Sequence, residues 1–215
     1  MIKIRHMLYL AALFFTTGYS AAATKLEVTQ PNIIFVLSDD QAWNGLSTRM
    51  HPDLAWSASD FVRTPNIARL AKQGMRFSAA YAPASVCSPT RVSLQTGKSP
   101  AQLQWTKAAP TMTAANGYKL IPPTIRKHIA RDEITIAEML KTAGYATAHY
   151  GKWHIGGGGP GLHGYDEHDG DTGNKDAAPH KDPNPVDIFG MSRRAIAFMK
   201  KNHAAKKPFF IQLSY

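Results

Sequence analysis

Residues 32–37 read Asn-Ile-Ile-Phe-Val-Leu, an unbroken apolar run that is rich in β-branched side chains. Such a run predicts a strand that is buried on both faces, as in the centre of a parallel sheet. Further strands are predicted at 145–150 and 209–215, with a short one at 75–80. A chain with this pattern is restricted to folds that cover a sheet from both sides.

Helical patterns separate the predicted strands. They are found at 64–73, 89–96, 135–143 and 188–203. The first has Pro65 in its opening turn and Gly74 as its C-terminal stop. Residues 98–130 show no strong period, and residues 151–185, rich in Gly, Pro, Asp and His, predict a long loop. Because strands and helices alternate, we expect an α/β fold with a mostly parallel or mixed sheet and helices on both faces.

The first 23 residues have the order of a secretory signal peptide. Lys3 and Arg5 precede an apolar run at 7–15, and small residues follow at 20–23. The apolar run is too short to span a bilayer comfortably, and an uncleaved membrane anchor is the alternative. We expect cleavage after Ala23 and export to the periplasm or the medium, with no membrane attachment afterwards.

The charge balance is basic, with 25 Lys and Arg against 15 Asp and Glu, a formal charge of +10. Such a surface attracts anions, which leaves open a non-catalytic protein that binds nucleic acid or an acidic polysaccharide. No motif interleaves aromatic and basic residues, so we expect no nucleic-acid partner. Cys87 is the only cysteine, which excludes an intrachain disulfide.

Two aspartates, Asp39 and Asp40, follow the first predicted strand. The carboxyl ends of strands in a parallel sheet are where ligands bind. Paired carboxylates suit Ca²⁺ or Mg²⁺ rather than a soft metal. An aspartate pair also ends strands and caps helices, so this pattern alone leaves both interpretations open.

A second motif reads Cys87-Ser88-Pro89-Thr90-Arg91. Pro89 fits the first turn of a helix, which places Cys87 beside a helix N-terminus, where backbone N–H groups favour an anion. Arg91, four residues on, can turn back to the same point and supply a cation. The alternative is a buried, inert cysteine. A thiolate phosphatase needs a longer Cys-to-Arg spacing, and position 93 is Ser, so that class is excluded.

Together these motifs resemble those of the type I sulfatases of the alkaline phosphatase superfamily. The segment 87–91 matches the C-x-P-x-R core of the family's signature, although Thr90 stands where Ser is commoner. The run Gly151-Lys152-Trp153-His154 resembles the second signature. Other segments that look like family elements are the first strand with its aspartates (32–40), the next helix (64–74) and the strand before a later substrate-binding histidine (208–210).

The resemblance implies a specific chemistry for Cys87. In this family a maturation enzyme, which we expect as a partner, oxidises the cysteine to formylglycine. One hydroxyl of the hydrated aldehyde attacks the sulfur of a sulfate ester and expels the alcohol. The second hydroxyl then loses its proton, so that sulfate leaves and the aldehyde reforms. A plain serine could attack but could not release sulfate in this way.

The resemblance also implies roles for the neighbouring residues. Asp39 and Asp40, together with the group derived from Cys87, would hold Ca²⁺, or alternatively Mg²⁺, which offsets charge as the S–O bond breaks. Arg91 would hold the hydrate and balance the carboxylates. Lys152 would contact the sulfate and the nucleophile, and His154 would take the proton in the release step.

Residues 24–215 are expected to form the N-terminal part of a sulfatase catalytic domain, truncated within the fold. The family's remaining metal ligands and a later His and Lys cannot be assigned within 215 residues, so we expect this piece alone to be inactive. The expected substrate is a sulfated small molecule or a sulfated polysaccharide. A phosphodiester or phosphonate hydrolase on the same scaffold is the alternative.

The long loop offers two weaker candidates. His163, His168, Asp169 and Asp171 form a possible second metal site, for which an ordinary polar loop near the active site is the competing interpretation. Thr172 or Asn174 could reach the nucleophile from this loop.

Overall fold

The computed structural model describes residues 30–108, 116–117, 119–174 and 188–215. The predicted signal peptide, residues 1–23, lies outside the described residues. None of the helices in the described ranges has the length and apolarity that crossing a membrane requires.

A four-stranded parallel sheet forms the centre of the fold. Its strands are β1 (Ile33–Leu37), β2 (Ala146–Gly151), β3 (Glu167–His168) and β4 (Phe209–Ser214), in the order β1-β4-β2-β3. In the central pairings Ile211 of β4 lies opposite Ile34 on one side and Ala148 on the other. The parallel pairing confirms the expected α/β class.

Within the described ranges, four α-helices accompany the sheet: α1 (Pro65–Gln73), α2 (Cys87–Thr96), α3 (Ile136–Thr142) and α4 (Ile188–Ala204). Short 3₁₀ turns occur at Ala55–Ser57 and Pro160–His163. Helix α3 begins with a capping box, in which the Thr135 hydroxyl accepts from the Glu138 N–H and the Glu138 carboxylate accepts from the Thr135 N–H. Helix α2 starts at Cys87, two residues before the predicted start, so Pro89 occupies its third position.

The helices cover both faces of the sheet, as expected. On one face, Val92 of α2 and Ala137 of α3 belong to an apolar cluster with Phe210 of β4 and Trp153. On the other face, α4 packs its apolar side onto β2 and β4. The buried members of this second cluster are Met191, Ala195, Phe198, Ala146, Ala148, Tyr150, Phe209, Ile211 and Leu213.

Two strand predictions are wrong. Residues 75–80 form turns and irregular structure, because Met75 and Phe77 find no sheet partner and remain largely exposed. Strand β1 is present but is not buried on both faces. It lies at one end of the strand order, and α4 packs beside β2 and β4, so Ile34 and Val36 are 49% and 57% exposed on that side.

The carboxyl ends of three strands meet at one edge of the sheet. The Asp39 N–H donates to the Tyr215 carbonyl oxygen, and the Lys152 N–H donates to the Ser214 carbonyl oxygen, each at 3.0 Å. The residues that follow β1 and β2 are therefore joined to the end of β4. This edge brings together segments that lie between 62 and 176 positions apart in the sequence.

Candidate active site

Cys87 is the first residue of helix α2, following Val86 in an extended conformation. Its side chain is a free thiol and is partly buried. The Lys152 Nζ atom lies 3.4 Å from the Cys87 Sγ atom, as a hydrogen-bond donor. The sulfur thus sits at the positive end of a ten-residue helix and beside an ammonium group, where a negative charge would be stabilised.

Asp39 binds two cations at once. Its Oδ1 accepts from Arg91 Nη2 at 2.9 Å, and its Oδ2 accepts from Lys152 Nζ at 2.5 Å. Burial raises the pKa of Asp39, but the hydrogen bonds and positive charges of Lys152 and Arg91 lower it more, so the net pKa lies below its ordinary value. The carboxyl group is therefore ionised at neutral pH.

Arg91 is almost completely buried and connects the helix to the loop after β2. Besides Asp39, it donates from Nη1 to the Lys152 carbonyl oxygen at 2.5 Å. Its Nε atom is buried and has no hydrogen-bond partner among the described residues. Arg91 therefore fixes both Asp39 and Lys152 relative to the helix that carries Cys87.

Ligating atoms of Asp39, Asp40 and Cys87 lie within 4.8 Å of one another. Asp40 is exposed and adopts a positive φ of 51°, a conformation that aspartate tolerates better than most residues. The two carboxylates suit a hard cation such as Ca²⁺ or Mg²⁺, whereas a thiol sulfur suits it poorly. The donor set fits the expected cation best if position 87 presents oxygen instead of sulfur.

His154 lies at a turn with a positive φ of 58° and is held through its backbone. Its N–H donates to the Thr172 carbonyl oxygen at 2.7 Å, and its carbonyl oxygen accepts from the Ser88 hydroxyl at 2.8 Å. Its Nδ1 atom is buried and unpartnered within the described part of the chain. Burial lowers the pKa of His154, the charges of Lys152 and Arg91 lower it further, and Asp39 opposes them. The ring is therefore neutral near pH 7.

A cleft of about 270 Å³ opens between the end of β1 and the segment that leads into α2. Residues of both elements line it: Leu37, Ser38, Asp39, Asp40, Gln41, Ala82, Ala84, Ser85, Val86, Cys87, Thr90 and Arg91. The Cys87 sulfur, the paired carboxylates and a buried guanidinium thus share one open cavity. Such a cavity can hold a small anionic group against the helix N-terminus.

Sequence reasoning named Thr172 and Asp169 but missed that they hold the segment after β2 in place. Thr172 does not point to Cys87. Its hydroxyl donates to the Gly151 carbonyl oxygen at 2.6 Å and accepts from the Trp153 N–H at 3.0 Å. Asp169 accepts from the Gly151 N–H at 2.8 Å. These contacts join residues about twenty positions apart, and no local sequence pattern predicts them.

The prediction of a second metal site in the long loop is wrong. Asp39, Asp40 and Cys87 are the only such cluster in the ranges that the structure describes. His163 is buried, stacks on Trp153 and places its Nε2 atom 3.2 Å from the Gly157 carbonyl oxygen. Asp169 is engaged by the Arg194 guanidinium at 2.8 Å. Packing accounts for His163, and ion pairing accounts for Asp169.

The family model described as Sulfatase matches residues 31–215 of this chain. The chain is 32% identical over 147 residues to arylsulfatase A of Bos taurus, a match that covers 68% of this chain and 25% of the relative. It is 31% identical over 212 residues to N-acetylgalactosamine-6-sulfatase of Mus musculus, covering 84% of this chain and 38% of the relative. The chain thus spans well under half the length of these two curated relatives.

Among solved structures, the crystal structure of Ps i-CgsB in complex with k-i-k-neocarrahexaose is similar in fold. The TM-score is 0.64 at 24% sequence identity, and the match covers 86% of this chain and 44% of that one.

Proposed function

Because this chain belongs to the sulfatase family, we propose that its protein hydrolyses sulfate esters with a formylglycine derived from Cys87. The observation that carries the proposal is the position of the Lys152 Nζ atom. It contacts both the Cys87 sulfur and the Asp39 carboxylate, at 3.4 Å and 2.5 Å. An ammonium group in this position would contact a sulfate oxygen beside the nucleophile.

Formylglycine, once formed and hydrated, supplies a hydroxyl that attacks sulfur and a second hydroxyl whose deprotonation releases sulfate. The surroundings of Cys87 suit that group. A helix N-terminus and the Lys152 ammonium favour negative charge on its oxygens. The Nε–H of Arg91, a residue that lines the same cleft as Cys87, is a buried donor with no hydrogen-bond partner among the described residues.

Asp39 and Asp40 would hold the divalent cation, which supplies positive charge to a sulfate oxygen. We propose Ca²⁺, with Mg²⁺ as the alternative, because the protein donors are carboxylate oxygens. Asp39 can serve the cation and its two basic neighbours together, since a carboxylate offers about four lone pairs. Arg91 and Lys152 hold Asp39 ionised and oriented for that task.

His154 would accept the proton in the release step. Its lowered pKa keeps the imidazole neutral at pH 7, and a neutral imidazole can take a proton. The Ser88 hydroxyl and the Thr172 carbonyl oxygen fix its backbone on both sides. This placement holds the ring within the electric field of Asp39, Lys152 and Arg91.

We propose a sulfated carbohydrate as the substrate class. The support comes from the names of similar proteins, one an N-acetylgalactosamine-6-sulfatase and another solved with a neocarrahexaose. We also propose a formylglycine-generating maturation enzyme as a partner, and export by the predicted signal peptide to the periplasm or the medium. N-terminal sequencing of the mature protein that found Met1 would refute the cleavage.

The test uses the protein expressed from its complete reading frame in a host with the maturation enzyme. Mass spectrometry of the tryptic peptide Phe77–Arg91 should find the aldehyde in place of the thiol, and 4-nitrophenyl sulfate should be hydrolysed. Cys87→Ala should abolish the activity, whereas Ser99→Ala, outside the cleft, should keep it. An unconverted Cys87, or faster hydrolysis of an aryl phosphodiester than of the sulfate, would contradict the proposal.

A further inference from the structure

Helix α2 faces the sheet with a stripe of polar side chains. Ser88, Arg91 and Gln95 are all buried, and their spacing of three and four residues puts them on one side of the helix. The Ser88 hydroxyl donates to the His154 carbonyl oxygen, and Arg91 donates to the Lys152 carbonyl oxygen. The first two positions of the stripe are thus bonded to the loop that carries Lys152 and His154.

Gln95 continues the stripe into the core. Its Nε2 atom donates to Gln212 Oε1 at 2.8 Å. The Tyr165 hydroxyl lies 2.9 Å from Gln95 Oε1 and 3.1 Å from Gln212 Oε1, so its proton is shared between the two amide oxygens. All three side chains are buried, and they connect α2, strand β4 and the residues before β3.

The hydrogen bonds continue from Gln212 along β4 toward the candidate active site. Gln212 Nε2 donates to the Ser214 hydroxyl at 3.3 Å, and that hydroxyl lies 3.4 Å from His149 Nε2. The Ser214 carbonyl oxygen in turn accepts the Lys152 N–H. Burial, aided by the positive charge of Arg91, lowers the pKa of His149 to about 3, so the ring is neutral and the network stays uncharged.

We propose that Gln95, Tyr165 and Gln212 form a positioning network that sets the register of α2 against β4, and thereby the place of the nucleophile relative to Lys152. This proposal rests on the proposed function. Gln95 is eight residues from Cys87, about 12 Å along the helix, and does not line the cleft, so it acts without touching substrate. Apolar contacts are non-directional, whereas these hydrogen bonds are satisfied at one register only.

The test separates positioning from stability by removing the whole network. The triple variant Gln95→Leu, Tyr165→Phe, Gln212→Leu leaves no unpaired member of the triad and keeps the packing close to native, so its urea midpoint should lie near that of the wild type. In the matured protein, kcat for 4-nitrophenyl sulfate should fall about tenfold or more with a nearly unchanged KM. The control Gln102→Leu, at an exposed position, should match the wild type. Gln95→Leu alone should lower both stability and kcat.

A triple variant with native stability and native kcat would overturn the proposal. A second readout does not need turnover, since mass spectrometry of the tryptic peptide Phe77–Arg91 follows the alkylation of Cys87 by itself. In the unconverted protein the rate of alkylation of Cys87 depends on how its surroundings, Lys152 among them, are arranged. The triple variant should change that rate at least threefold relative to Gln102→Leu, and an unchanged rate would refute the network's role. A wild type that hydrolyses no sulfate ester would refute the proposed function, and alkylation would still decide the positioning.

Discussion

The two faces of strands β2 and β4 are built from different chemistry, although both are buried. Toward α4 the strands present alanines, Ile211, Leu213, Phe209 and the ring of Tyr150. Toward α2 they present Thr147, His149, Gln212 and Ser214 beside Phe210. The alternation follows from the two-residue period of a strand, which sends neighbouring side chains to opposite faces.

The difference separates two tasks of the sheet. The α4 face stabilises the fold by removing apolar surface from water, a force that tolerates small displacements. The α2 face joins the helix that carries Cys87 to the strands through hydrogen bonds, which constrain position. Buried polar groups are costly when a partner is missing, so this face is held to one arrangement. Variants on the two faces should therefore fail in different ways.

The largest effect on kcat is expected at the carboxyl edge of the sheet, where Lys152 lies. Lys152→Met removes the ammonium between Cys87 and Asp39. Loss of one such pre-positioned donor should lower kcat for 4-nitrophenyl sulfate about 100- to 1,000-fold, while the urea midpoint changes little. Lys200→Met, exposed on α4, is the matched control and should keep full activity. Equal kcat values in the two variants would remove Lys152 from the proposed mechanism.

A cavity on the α4 face should give the opposite result. Phe198 is 3% exposed and meets Phe209 edge-on with ring centroids 6.2 Å apart. Phe198→Ala should lower the free energy of unfolding by about 3 kcal/mol, because it removes buried apolar surface and leaves a void. The kcat of the protein that remains folded should not change. Ile196→Ala, at a 46% exposed position of the same helix, should cost less than about 1 kcal/mol.

A sharper test of the polar face uses pH. The pKa of His149 is lowered from 6.5 to about 3, first by burial and then by the Arg91 charge. The unfolded chain therefore binds a proton at His149 that the folded chain does not bind. The contribution of His149 to the free energy of unfolding is present above pH 6.5 and declines as the pH falls toward 3. Between pH 6.5 and 5 the loss should be about 2 kcal/mol. His149→Gln should lack this part of the slope in urea unfolding, and exposed His203→Gln should retain it.

Sequence reasoning could predict the elements and the local motifs of this molecule. The apolar runs at 32–37 and 209–215 became β1 and β4 because β-branched and aromatic residues suit a pleated surface. The spacing of Cys87 and Arg91 put both on one helix face, as their separation of four residues requires. Residues 75–80 have strand-like composition, yet pairing with a neighbour decides whether a strand forms, and here none pairs.

The remainder of the site depends on contacts between distant segments. Lys152 meets Asp39 across 113 positions, and Gln95 meets Gln212 across 117. No periodic pattern in the sequence predicts such pairs. One signal was available within β4, since Gln212 and Ser214 alternate with Ile211 and Leu213 in an otherwise apolar strand. A polar pair on one face of a buried strand indicates that this face has hydrogen-bond partners to satisfy.

The smallest expected effects on the free energy of unfolding come from the same substitution, tyrosine to phenylalanine, made on each face of the sheet. Tyr165→Phe removes a hydroxyl from the α2 face and leaves the oxygens of Gln95 and Gln212 with one donor fewer in a site closed to water. It should cost about 1 to 2 kcal/mol of unfolding free energy.

Tyr150→Phe removes the hydroxyl that donates to Glu167 at 3.0 Å, and this carboxylate also accepts from Lys201 and reaches solvent. Water can replace the lost donor there, so the cost should stay below about 0.5 kcal/mol. Equal urea midpoints for the two variants would mean that the polar face is no more constrained than the apolar one.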